Sequence, residues 1–391
     1  MALRVAIDDR VTVAPRVHAA RWAVAAMFLV NGALLANWVA RIPAVQQRLG
    51  LSAGALGIAL LGMAIGALAA FPVTGLLIAH YGSRRVTTGA ALVYCAAVPL
   101  PGLAPNLPLL MVALIALGAG NGAMDVAMNA QGVAVEARYG RPIMSSFHGL
   151  WSVGGFAGAL VGGLAAGAGI APFPHLLGAA VVLVIAALVA ARWLLPVAAD
   201  ADSGAPAFAR PTRALLGLGV VAFCSALGEG AMADWSAVYL HSSLATSAAF
   251  AAAGYAGFSL AMTVGRLSGD RLTHRFGPVV LVRVGGLLAA AGLSAALVVG
   301  RSVPAVAGFA LVGAGLSLVA PLVYSRAGRT PGVSPAAALA AVATMGYTGF
   351  LLGPPIIGAV AQALSLRDAL GLIVLLGLAI AALARNVGPA A

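Results

Sequence analysis

The sequence predicts an all-α integral membrane protein of twelve transmembrane helices, arranged as two pseudo-symmetric six-helix bundles. Three observations carry that expectation: the composition, the number of apolar runs long enough to span a bilayer, and a repeat at half the chain length. Of 391 residues, 62% are hydrophobic and 8% charged, where a soluble domain carries about a quarter charged residues. The mean hydropathy is +1.03. A soluble chain has nowhere to hide so much apolar surface, so lipid must serve as solvent. The 50 glycines fit the same setting, because small residues let membrane helices approach closely.

Runs of about 20 apolar residues fall at 20–42, 53–79, 86–104, 107–133, 143–168, 172–195, 214–240, 246–269, 278–300, 303–326, 334–362 and 367–386. Breakers such as Pro99-Leu100-Pro101-Gly102, Ala171-Pro172-Phe173-Pro174 and Pro331-Gly332 mark turns between them. All 22 basic residues are arginines. With the N-terminus inside, only Arg41, Arg48, Arg301 and Arg367 lie toward the far side. The remainder, Arg266 among them, fall on cytoplasmic segments and their flanks, as the positive-inside rule expects. Both termini are therefore expected in the cytoplasm, and the net charge of +12 reads as topology rather than nucleic-acid binding. Residues 1–20 are polar and show no cleavable signal peptide. Cys95 and Cys224 both sit in apolar stretches, which argues against a disulfide framework. The polar stretch 196–213 divides the spans six and six, and is expected to link a bundle over 1–195 to one over 214–391.

The halves resemble each other. Ala36-Asn37-Trp38 in the first span matches Ala233-Asp234-Trp235 in the seventh, 197 residues on. Gly118-Ala119-Gly120 matches Gly313-Ala314-Gly315, and Tyr81-Gly82 matches Phe276-Gly277, both 195 residues on. Duplicated six-helix halves with a solute site where they meet near mid-membrane are a known transporter plan.

These residues resemble the major facilitator superfamily along essentially the whole chain. The loop after the second span, Gly75 to Arg84-Arg85, is similar to its signature of a glycine, an Asp-Arg pair, a second glycine and a basic pair, with Ala79 standing in place of the aspartate. The loop after the eighth span retains the pair as Asp270-Arg271, followed by Arg275. The resemblance implies a latch of helix ends on the cytoplasmic face, involving Arg84, Arg85, Asp270, Arg271 and Arg275. The strings Asn37-Trp38-Val39-Ala40-Arg41, Met124-Asp125 to Asn129-Ala130-Gln131, Ser145-Ser146-Phe147-His148-Gly149 and Gly346-Tyr347 to Gly353-Pro354-Pro355 are similar to the fucose-permease-like branch. Its characterised members are proton-coupled sugar symporters.

An ionisable group inside a span costs on the order of a few kcal/mol, so each is a functional candidate. In the fourth span Asn121, Asp125 and Asn129 recur every four residues and share one helix face. Asp125 is read as the proton- or substrate-handling residue, against a purely structural polar cluster. Fucose permease uses carboxylates in its first and fourth helices, but here the first span offers only Asn31 and Asn37. In the seventh span Glu229 and Asp234 point about 140° apart around the helix. Glu229, the deeper, is the better coupling candidate, and Asp234 is a candidate partner of Arg41 in an outer gate. His148 either titrates in the physiological range or bonds to the fourth span. Trp38 and Trp235 either stack on a ring or cation or anchor at the interface. Tyr347, with Thr344 and Thr348, and Tyr255, with Ser259 and Thr263, are candidate cavity hydroxyls, unless they bond back to their helices.

No phosphate-cradling loop, metal-ligand cluster, dinucleotide fold or catalytic triad appears. The expected protein is not an enzyme and needs no cofactor beyond the proton gradient as energy source. Its expected partners are a small-molecule substrate and the lipid bilayer, and it is expected to act as a monomer in the cell's inner membrane. The leading reading is proton-coupled symport of a neutral, polar, sugar-sized solute. The alternative is a proton-coupled efflux antiporter for amphiphilic drugs or metabolites.

Overall fold

The computed structural model describes residues 2–140, 143–196, 213–331, 333 and 335–388. Most of the expected linker, 197–212, lies outside them. Among the described residues, twelve helices are long and apolar enough to cross a membrane. The first crossing comprises α1 (Ala2–Val39) and α2 (Ile42–Leu49). It is followed by α3 (Ala53–Tyr81), α4 with α5 (Ser83–Ala97, Leu100–Leu103), α6 (Leu107–Tyr139), α7 (Met144–Gly167) and α8 (Pro172–Ala191). The second set is α9 (Arg213–Val238) ending in a π turn (Tyr239–Ser243), α10 with α11 (Ala248–Ala251, Ala253–Phe276) and α12 (Pro278–Val299). It continues with α13 and α14 (Ser302–Leu316, Val319–Ala327), α15 (Pro335–Ala363) and α16 (Leu366–Leu383).

Two expectations are corrected. Pro99-Leu100-Pro101-Gly102 is not the turn after the third span: it enters α5, and the connection runs through residues 104–106. The bond-poor carbonyls that prolines leave behind are met by Arg48, whose guanidinium donates to Ala104 O at 2.9 Å, Pro101 O at 3.2 Å and Gly102 O. This contact explains one of the few arginines on the far side. The tenth span is also not one helix, because it breaks at residues 317–318 between α13 and α14.

The repeat is visible in the backbone. Ser52 and Ser247, 195 residues apart, both cap their helices, accepting from Ala55 N and Phe250 N at 3.2 Å. Gly82 (φ 79°) and Gly277 (φ 74°) turn the chain into α4 and α12. Just before the serine caps, Gly50 has φ 60°, and its counterpart Ala245 has φ 51°, the sole positive-φ residue other than glycine among those described. The second copy thus keeps the left-handed turn without the glycine that favours it.

Packing repeats as well. α1 lies on α7 as α9 lies on α15, and α3 on α6 as α11 on α13. α4 packs on α8 as α12 packs on α16. A Cβ on Gly118 would overlap the carbonyl oxygen of Met63 across α3, and a Cβ on Gly313 would overlap that of Phe258 across α11. These are equivalent crossings, again 195 residues apart. The two sets meet where α7 packs on α11 and α3 on α15.

Two predictions follow from these backbones. Gly118→Val and Gly313→Val should each destabilise the purified protein by about 1–3 kcal/mol through overpacking, read as a lower unfolding midpoint in detergent. Ala245→Gly should instead raise the midpoint, by about 1 kcal/mol at most, since it relieves a left-handed alanine.

Candidate functional site

A cavity of about 730 Å³ lies between the two sets of helices. Its rim is formed by Met144 and Ser145 at the start of α7, Thr273 and His274 near the end of α11, and Ser325 in α14. Successive crossings alternate in direction, so all these ends belong to the face that carries the termini. The cavity runs inward to Glu229, Arg266, Tyr347 and Phe350. Pro354 and Pro355 lie inside α15 and cannot donate to the carbonyls of Phe350 and Leu351 one turn earlier.

At the inner end Arg266 Nη2 lies 3.4 Å from Glu229 Oε2, an ion pair with side chains 12% and 15% exposed. Arg266 Nη1 donates to Ser152 Oγ of α7 at 3.0 Å, and Ser225 Oγ donates to Glu229 Oε1 at 3.4 Å. His148 of α7 also lines the cavity, its ring edge-on to Phe28 at 5.1 Å between centroids. Removing one partner of such a pair leaves a charge uncompensated, which costs about 3–5 kcal/mol in a buried setting.

Across the cavity Asp125 stands behind Tyr347. Asn129 Nδ2 donates to Asp125 O at 2.8 Å and to its Oδ1 at 3.1 Å, while the Tyr347 hydroxyl donates to Oδ2 at 3.5 Å. Tyr347 reaches it from α15, its ring against Phe71 of α3 at 4.6 Å. The i, i+4 spacing therefore does build one polar face. Asn121 shares it but makes no hydrogen bond among the described residues. Tyr324 of α14 lines the cavity with Glu229 and Tyr347, whereas Asp125 itself does not line it.

Other candidates are placed elsewhere. Asn31 accepts from Trp151 Nε1 at 2.8 Å. Asn37 donates to Ala33 O at 2.8 Å and accepts from His175 Nε2 at 2.9 Å. Neither asparagine lines the cavity. Trp38 and Trp235 are among the largest fully buried side chains, so they neither face the cavity nor anchor in the interface; they fill the core beyond the cavity's closed end. The Asp234–Arg41 pair does not form. Arg41 Nη2 instead donates to Ile170 O at 2.5 Å, and Asp234 lies near Tyr255. Thr263, Thr344 and Thr348 bond back to carbonyls of their own helices.

On the cavity's open face Arg84 donates to Arg192 O at 3.2 Å, and Arg275 lies over the Phe276 ring at 5.2 Å. Arg85 and Arg271 enter no ion pair among the described residues, and the Asp270 side chain lies outside the described part. Glu136 closes the start of α7, accepting from Ile143 N at 2.6 Å and Met144 N at 2.8 Å.

Arg266 is the cavity residue that sequence reasoning missed. Its position within the apolar run 246–269 qualifies it by the rule applied to Asp125, but a count of loop arginines absorbs it. Tyr324 carried no signal, because only the break between α13 and α14 brings it to the wall.

The family model of the Major Facilitator Superfamily matches residues 22–336. An uncharacterized transporter of Sinorhizobium fredii is 40% identical over 347 residues, 88% of this chain and 92% of the relative. An uncharacterized MFS-type transporter of Yersinia pestis is 40% identical over 362 residues, 92% and 94% of the two chains. The membrane protein MosC of Rhizobium meliloti is 37% identical over 364 residues, 92% and 88%. Among solved structures, a variant of the nucleoside transporter NupG superposes with a TM-score of 0.73 at 12% identity, covering 94% of this chain and 98% of that one. A bacterial homolog of the human lysosomal transporter Spinster, inward-facing and occupied, gives 0.69 at 17% identity, covering 94% and 95%; both share the fold. With a family match over most of its length and relatives of this identity, the chain belongs to the Major Facilitator Superfamily.

Proposed function

We propose that this transporter moves a small, polar, sugar-like solute across the cell's inner membrane by alternating access, in symport with protons. The observation that carries the reading is a cavity between the two six-helix sets, of a size suited to one small molecule. Ionisable groups approach it from both sides: Glu229 and Arg266 from one, His148 and, through Tyr347, Asp125 from the other. Asp125 is one proton site. An ionised Asp125 accepts the Tyr347 hydroxyl and so ties α6 to α15; a proton on it competes for that bond and loosens the tie. Proton binding thereby acts on a contact between the halves, which is what coupling to a rocking motion requires. Arg84, Arg85, Asp270, Arg271 and Arg275 would latch the terminal face when the cavity turns outward, with both termini in the cytoplasm. The proton gradient is the energy source, and one chain suffices.

Efflux of amphiphilic compounds by proton antiport is the second reading, favoured by Met144, Tyr324 and Phe350 on the cavity wall. The discriminating experiment is thermal unfolding of the purified protein against hexoses, deoxyhexoses, sugar acids and lipophilic cations at acidic and neutral pH, since a ligand of the folded state raises the midpoint. A sugar-class ligand should raise it in the native protein. Asp125→Asn should lower gradient-driven uptake in proteoliposomes by about tenfold or more, a loss of about 1.4 kcal/mol or more. Stabilisation by lipophilic cations alone would reverse the assignment to efflux.

A further inference from the structure

We propose that the transported solute carries a single anionic group, a carboxylate or similar acid, and that this group takes the place of Glu229 on Arg266. The inference rests on the reading of this cavity as the site of a polar-solute symporter, and it departs from a neutral solute.

Arg266 is the wall's fixed cation. A guanidinium offers five N–H donors in a planar fork, and the bonds to Ser152 and Glu229 engage two of them. Nε makes no hydrogen bond and is not among the buried unpartnered atoms, so this donor of the fork is not sealed in protein. The Glu229 contact is long. At 3.4 Å it exceeds the roughly 2.7–2.9 Å of a well-made charge-assisted bond, and the Ser225 bond to the other carboxylate oxygen is also 3.4 Å. Glu229 is thus held loosely on both sides, whereas an entering carboxylate could meet the fork in bidentate fashion.

Charge balance then links proton to solute. Glu229 is faced by Arg266 and Tyr255 from α11, by Tyr324 from α14 and by Ser225 on its own helix. Asp125 is bonded to Tyr347 of α15, Asp234 lies five residues on along α9, and His148 of α7 lines the cavity with Arg266. Ionised, Glu229 balances Arg266. A proton on Glu229 leaves the guanidinium charge unmatched in a site of low dielectric, which is costly. A monoanion restores the balance; a neutral sugar does not. Each therefore favours the other's binding, and the loaded site is electrically neutral when it crosses the membrane. The break at residues 317–318 adds to the preference, since it places the positive end of α14 at Leu318 and Ala320 on the same wall.

The test measures unfolding midpoints of the purified full chain with glucuronate, gluconate and glucose, at mildly acidic and neutral pH. The native protein should bind the acids about tenfold more tightly at the acidic pH and favour them over glucose. Glu229→Gln, neutral at every pH, should bind them equally at both, and Arg266→Gln should lose them. Arg266→Lys should weaken rather than abolish binding, because it keeps the charge and loses the fork. Should Arg266→Gln fail to fold, the lost pH dependence in Glu229→Gln still decides. Equal stabilisation by glucose and glucuronate, retained in Arg266→Gln, would overturn the anionic solute and leave sugar transport standing. No effect of either acid at any pH would also overturn it.

Discussion

Lipid tails do not push apolar helices together, so this protein is held by surfaces that let two backbones touch. Gly118 against Met63 and Gly313 against Phe258 are the repeated form of that contact, and α1 meets α7 in the same way through Gly32 and Gly154. Within each set, glycine removes the side chain that would hold the helices apart. Between the sets, on the terminal face, His148, Arg266, Tyr324 and Tyr347 stand where no such closeness exists, and the space they leave is the cavity.

What fills the open seam is a pair of polar bridges. Arg266 joins α11 to Ser152 of α7, and Tyr347 joins α15 to Asp125 of α6. Each bridge includes or adjoins a carboxylate, Glu229 or Asp125, and each spans the two halves. The Tyr347 bond depends on protonation, because an ionised Asp125 is the stronger acceptor in a low-dielectric site.

The far end is closed by different means. Trp38 and Trp235 are fully buried, and their indole nitrogens, with Arg41 Nε and Nη1 and Ser236 Oγ, are buried without hydrogen-bond partners among the described residues.

The sequence by itself determined the twelve crossings and the period that relates their halves, because the bilayer core imposes a length and a polarity on every span. It also determined that Asn121, Asp125 and Asn129 share a face, since that follows from helix geometry alone. Local pattern could not say which buried polar groups meet across the interface. Asn31, Asn37, Trp38 and Trp235 had the same credentials as Glu229, yet the fold commits the asparagines to Trp151 and His175 and the tryptophans to the core. Arg266 looked like topology until α11 turned it onto Glu229, and Tyr324 came to the wall only through a helix break. Spans are set by each segment's own exchange with lipid, whereas a site is set by distances between segments far apart in the chain, and those exist only once the helices have packed.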